Sequence, residues 1–138
     1  MGGEAIGEVA LSVAPTPLAA IRDLGPLSEV APAGALGLED ARLAQADLLT
    51  AQVRRGAGGE EFYEWDLVYA KPGCSYDDRA LLGVCPYELV CLVSATVEAG
   101  ALYVFTATSD AEQFKRFGPD LRAMRKSFAL FPSGEGAA

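Results

Sequence analysis

Cys74, Cys85 and Cys91 are the residues of this chain whose type and spacing most plainly offer chemistry. A bridge between Cys74 and Cys85 would span eleven positions. Closing a loop of that size stabilises by about 3 kcal/mol where the geometry allows it. Cys74–Cys85 is therefore a disulfide candidate; a rival pair with Cys91 and a set of buried thiols are the open alternatives. No two cysteines stand as Cys-x-x-Cys, and the 138-residue chain has no histidine, so zinc is not indicated. Ser-His, Cys-His and His-metal arrangements are excluded for the same reason. Carboxylate, lysine or cysteine mechanisms remain in principle, and no spacing argues for one. Asp77 and Asp78, with Glu88 nearby, offer oxygen ligands to calcium or manganese. They lack the spaced ligand series and central glycine of an EF-hand and read more simply as solvated turn carboxylates.

A second concentration of chemistry is electrostatic. Lys115, Arg116, Arg122, Arg125 and Lys126 hold five of the chain's 11 positive residues within twelve positions, whereas the whole carries a formal charge of −8. That reversal of sign marks a candidate surface for docking on an acidic partner, against the plainer reading of a solvated helix face whose cations suit a helix C-terminus. The acidic balance argues against nucleic acid, which is bound by an excess of Lys and Arg. No apolar run approaches the roughly 18–20 residues of a spanning helix, so the protein is expected to be peripheral at most. No targeting segment is visible near Met1.

The elements that position these residues follow from periodicity. Alternation over residues 8–13 predicts a strand burying Val9, Leu11 and Val13 on one face, closed by Pro15 and Pro17. Leu18, Ile21 and Leu24 predict a short helix, residues 26–31 a further turn, and residues 32–37 an aperiodic surface connection. Residues 46–54 and 61–69 predict a hairpin about the glycine-rich turn at 56–59. In its second strand Tyr63, Trp65, Leu67 and Tyr69 form the expected core face, in preference to a pigment or quinone pocket. Phe62, Glu64, Asp66 and Val68 form the other face. An irregular loop over 71–87 leads to a second hairpin, 89–98 and 101–108, turning at Ala99-Gly100. Ser109 as N-cap with Glu112 three residues later predicts a helix start, and Gly118-Pro119 an interruption before a second helical piece. Residues 127–131 read as a last strand. Hairpin-paired strands with helices in the connections describe an α+β domain with a mostly antiparallel sheet. It is expected to span 9–131, with 1–8 a disordered or partial N-terminus and 132–138 a flexible tail.

In order along the chain, several of these segments resemble the PsbP and PsbP-like family of thylakoid-lumen proteins. Leu11-Ser12-Val13-Ala14-Pro15-Thr16 is similar to the family's Ser-Val-x-Pro-Thr strand end, and Ile21-Arg22-Asp23-Leu24-Gly25 to its Ile-x-Asp-Leu-Gly segment. Glu61-Phe62-Tyr63-Glu64-Trp65 resembles its Tyr-Tyr-Glu strand, Gly100-Ala101-Leu102-Tyr103 its Asp-Gly-Lys-Leu-Tyr turn, and Lys126-Ser127-Phe128 its closing Ser-Phe. The resemblance implies an α/β/α sandwich around a mostly antiparallel sheet. It implies an extrinsic, non-catalytic protein of the chloroplast thylakoid lumen, associated with the oxygen-evolving complex of photosystem II or with photosystem assembly, and it brings calcium or manganese as cofactors to test. The chain departs from the family in three ways. The family's opening aromatic hairpin has no counterpart before the Ser-Val strand, Phe114 stands where its last helix usually has tryptophan, and its manganese-linked histidine is missing. Two other readings stand beside it: a redox-responsive lumenal protein switching through Cys74 and Cys85, and a non-photosynthetic protein-binding domain of the Mog type, which shares the fold.

Overall fold

The computed structural model describes residues 8–38, 46–70 and 87–129. Of the tails expected at 1–8 and 132–138, all but Glu8 lies outside these residues, and Glu8 opens the first strand. Among the described residues five strands form one antiparallel sheet: β1 (Glu8–Pro15), β2 (Asp47–Arg55), β3 (Glu61–Ala70), β4 (Tyr87–Glu98) and β5 (Ala101–Asp110), in the order β1-β5-β4-β3-β2. Both predicted hairpins are present. The β4–β5 turn is tight because Ala99 and Gly100 both take positive φ, 50° and 79°, the pairing whose twist matches the flanking strands.

Each face of the sheet is covered by helical structure, giving the expected α+β layering. On one face, single-turn 3-10 helices at Ile21–Leu24 and Leu27–Glu29 and the short helix α1 (Pro32–Ala35) pack over Tyr63, Trp65, Leu67, Tyr69, Val93 and Val97. The hydroxyl of Tyr63 donates to the carbonyl of Gly25 at 2.8 Å, fastening that layer to the sheet. Residues 32–37, read as an aperiodic connection, thus contain α1 and bury Leu36. On the other face lies helix α2 (Ala111–Ser127), whose Leu121 and Phe114 pack with Phe128 on Val68, Val90, Leu92, Phe105 and Ala107. Burying a side chain such as Leu121 stabilises by about 1.5–3 kcal/mol.

Several expectations need correction. The predicted interruption at Gly118-Pro119 does not occur, and α2 runs through both residues. Gly118 is buried with the Phe114 ring close by, so the apolar face of Phe114, Gly118 and Leu121 stays on the sheet across the proline. The N-cap is Asp110 rather than Ser109: its carboxylate accepts from the Gln113 backbone N–H at 2.7 Å, while Ser109 is buried within β5. No last strand begins at Ser127, which closes α2. Phe128 instead turns its ring between Phe62 and Phe105, 5.4 and 5.6 Å away. Finally, Val9, Leu11 and Val13 are not buried; they remain 50%, 58% and 57% exposed, because β1 is the sheet's edge and α2 lies over β4 and β5.

A proline inside a helix forfeits a backbone hydrogen bond and crowds the preceding turn. Pro119→Ala is therefore expected to stabilise the protein by about 1–3 kcal/mol, raising the thermal midpoint by several degrees. A lowered midpoint would contradict a helix continuous through 118–119.

Candidate functional site

The strand β3 is buried on both faces, and its alternation carries two carboxylates into the interior. Glu64 and Asp66 are 1% and 0% exposed, on the face shared with Phe62 and Val68. That face was expected to be the lesser one, because acidic residues are almost never fully buried unless paired. Here they are paired. The Asp66 carboxylate accepts hydrogen bonds from Arg122 and Arg125 of α2. Glu64 accepts from Gln52 Nε2 at 3.0 Å and from Arg54 Nε at 2.9 Å, both on β2, and Arg125 Nε lies 3.8 Å away.

The arginines carry the connection onward. Arg125 also donates to the Trp65 carbonyl at 3.1 Å. Arg54 donates to the carbonyls of Phe128 at 2.8 Å and Arg125 at 3.4 Å, so a cation from the sheet satisfies acceptors at the helix C-terminus. Its guanidinium sits 4.1 Å from the centre of the Phe62 ring. Three guanidinium groups thus face two carboxylates. The excess positive charge leaves by Arg122, whose side chain is 44% exposed and lies over the Phe114 ring at 5.3 Å.

Burial alone pushes the Asp66 carboxyl up. The hydrogen bonds and charges of Arg125 and Arg122 outweigh it and hold the group below its ordinary value. Both carboxylates are fully occupied by arginine and amide donors and closed to solvent. Chemically the arrangement is a clamp that fixes α2 on β2 and β3.

This placement changes the candidate docking surface. Arg125 does not belong to it, being 4% exposed and committed to Asp66, because it lies on the helix face that meets β3. Lys115, Arg116, Arg122 and Lys126 are exposed. At 3.6 residues per turn, Lys115, Arg122 and Lys126 fall within about 40° of one another and form a row along one flank of α2. Arg116 stands about a quarter-turn away, beside the Phe117 ring at 5.3 Å. Lys115 pairs with Glu112 at 3.4 Å, an exposed contact of little energetic weight. Arg122 is already oriented by Asp66, so less side-chain freedom is lost when it meets a partner.

The disulfide candidates Cys74 and Cys85 and the metal candidates Asp77 and Asp78 lie outside the described residues. Cys91 is buried at the centre of β4, where Thr108 Oγ1 approaches its sulfur at 3.5 Å. Among the described residues no group of three His, Cys, Asp or Glu side chains gathers to hold a metal ion. With Glu64 and Asp66 taken by arginines, the described residues do not fit calcium or manganese. Tyr63, Trp65 and Tyr69 are core, as expected. An apolar cleft of about 330 Å³ opens beside them, between α1 and the β2–β3 pair, lined by Val30, Pro32, Ala33, Leu48 and Leu67 among others. Among the described residues no helix is long and apolar enough to cross a membrane.

The model of the PsbP family matches residues 4–130. This chain belongs to the PsbP family. The solution structure of cyanobacterial PsbP (CyanoP) from Synechocystis sp. PCC 6803 matches it with a TM-score of 0.68 at 18% identity, over 93% of this chain and 69% of that one. A crystal structure of PA94, a protein of unknown function from Pseudomonas aeruginosa, matches with a TM-score of 0.52 at 13% identity, over 91% of this chain and 86% of that one. At these identities the likeness concerns the fold. No curated protein sequence matches the chain. In this PsbP-family chain, sequence reasoning found the cations of α2 but missed Arg54, Glu64 and Asp66. A signal was present: two acids at alternate positions of the most β-prone strand, and an arginine pair three residues apart on a helix.

The clamp makes stability depend on acid. Because the fold holds Asp66 below its ordinary value, its contribution is whole above the unfolded value of about 4 and is lost as pH falls through the folded value. Asp66→Asn is expected to cost about 3–5 kcal/mol at neutral pH, since it leaves buried arginine charge uncompensated. It should also flatten the fall of stability with acid, measured by urea unfolding at stepped pH. An unchanged acid limb in the variant would contradict the assignment.

Proposed function

We propose that this protein is a non-catalytic peripheral subunit or assembly factor of a photosystem, acting on the lumenal side of the thylakoid membrane. Photosystem II is the first partner to test. It docks through the cationic flank of α2, with Lys115, Arg122 and Lys126 in the row and Arg116 beside it. The observation that carries this reading is the row itself. A chain of net charge −8 that belongs to the PsbP family sets four exposed cations along one helix, and ion pairs to Asp66 hold that helix on the sheet.

The physical logic is complementarity of charge. An acidic protein approaching an acidic surface is repelled unless it presents its positive side, so a localised cationic strip sets orientation as well as attraction. The clamp matters because a strip on a loosely held helix would lose ordering entropy on docking. Nothing in this reading is routed through a metal ion. The fold alone does not carry it either, since the PA94 protein has a similar fold in a bacterium of another kind.

The triple variant Lys115→Glu, Arg116→Glu, Lys126→Glu leaves Arg122 and Arg125 in the clamp and should fold normally. Its binding to solubilised photosystem II cores, measured by co-sedimentation against a salt series, is expected to weaken at least ~10-fold, with the salt dependence much reduced. Equal binding by parent and variant across the series would remove the docking surface. Salt-sensitive binding to photosystem I alone would keep the surface and change the partner.

A further inference from the structure

The two edges of the sheet are not alike. β2 carries features that discourage another strand from adding to it: a register shift between Leu48 and Thr50, and the charged residues Asp47, Arg54 and Arg55. β1 has no bulge in its register and no charge between Val9 and Ala14. All eight of its residues are exposed, and among the described residues no strand pairs with its outer side.

The direction of its backbone groups can be read from one hydrogen bond. Thr16 N–H donates to the Gly100 carbonyl at 2.9 Å, continuing by one residue the register that sets Pro15 opposite Ala101. Residues of an antiparallel ladder alternate between those bonded to the neighbour and those facing away. Ala10, Ser12 and Ala14 are therefore bonded to β5, and Val9, Leu11 and Val13 direct their N–H and C=O groups outward. Pro15 falls in the outward set, where its missing N–H costs the β1–β5 ladder nothing. The same three residues also hold the exposed apolar side chains, opposite Ala107, Phe105 and Tyr103 on the α2 side of the sheet.

The segment Val9-Ala10-Leu11-Ser12-Val13 reads nearly the same in both directions about Leu11. When two such strands run antiparallel with Leu11 against the partner's Leu11, Val9 meets the partner's Val13 and Ala10 meets the partner's Ser12. Large residues then face large ones and small face small. Glu8 meets the partner's Ala14, so no like charges stand opposite one another across the seam. Each of the Val9, Leu11 and Val13 pairs exchanges two backbone hydrogen bonds. Such self-complementarity about one point is what a two-fold interface requires.

We propose that the outer edge of β1 is a homodimerisation site. Two copies of this chain join through antiparallel β1 strands in the Leu11-centred register, giving one continuous sheet with both α2 helices on the same face. The proposal is independent of the photosystem reading.

Sedimentation equilibrium of the full chain over a concentration series tests it, together with two variants. Leu11→Pro removes an outward N–H and leaves the bonds to β5 in place, so it is expected to be monomeric with an unchanged circular-dichroism spectrum. Leu11→Cys is expected to form an intermolecular disulfide under mild oxidation that neither the parent nor Ser12→Cys forms. Leu11 and the partner's Leu11 would lie about 5.5 Å apart at Cα, within bridging range, whereas the two Ser12 residues are offset along the strands. A parent that stays monomeric up to roughly 0.1 mM overturns the proposal. So does a dimer that cross-links through Ser12→Cys as readily as through Leu11→Cys. If Leu11→Pro fails to fold, the cysteine pair decides alone.

Discussion

Two carboxylates inside a sheet must be answered by cations, and in this protein that obligation organises the rest. Glu64 and Asp66 lie on β3, with β2 on one side and β4 on the other, and are closed to solvent. An unpaired buried charge of this kind would cost several kcal/mol. Arg125 and Arg122 satisfy Asp66 from above, and Arg54 satisfies Glu64 from the side while binding the carbonyls that end α2. The helix therefore cannot slide or lift without stranding charge. Apolar packing of Leu121, Phe114 and Phe128 supplies attraction between helix and sheet, but many helix rotations could bury those residues. The ion pairs select one.

Selection of that kind bears on function. Because Arg125 is committed inward, the cationic cluster seen along the chain divides into a structural part and an exposed part. Arg122 belongs to both, with one end of its guanidinium on Asp66 and much of its side chain in water. The exposed row of Lys115, Arg122 and Lys126 inherits a fixed direction from the buried pairs. A surface that docks by charge needs such a fixed direction. At the β1 edge of the sheet, Val9, Leu11 and Val13 present exposed apolar side chains, no charge stands between Val9 and Ala14, and among the described residues no strand pairs with the outer side.

Much of the fold was legible in the sequence where local pattern and packing agree. The run from Glu61 to Tyr69, the glycine turn before it and the Ala99-Gly100 turn announced both hairpins. The order of short motifs resembled the family that the chain proves to belong to. The misreadings fall where a distant partner overrides a local rule. Alternation put Glu64 and Asp66 on the face opposite the expected core, and nothing local marked them as buried, because their arginines lie 10 residues before Glu64 and 56 and 59 residues beyond Asp66. Pro119 looked like a break, yet the helix is held on both sides of it by contacts with the sheet. Ser109 and Asp110 were equally good caps by type, and the end of β5 decided between them. Val9, Leu11 and Val13 alternate like a buried strand, and no local signal says that a strand will be an edge.

Asp66 and Arg125 should act as one unit, which a double-mutant cycle with Asp66→Asn and Arg125→Met, followed by urea unfolding at neutral pH, can measure. Strong non-additivity is expected, with a coupling energy of about 2–3 kcal/mol and a double variant less damaged than the sum of its parents. Additivity within about 0.5 kcal/mol would contradict it and show that Asp66 and Arg125 do not act as a pair.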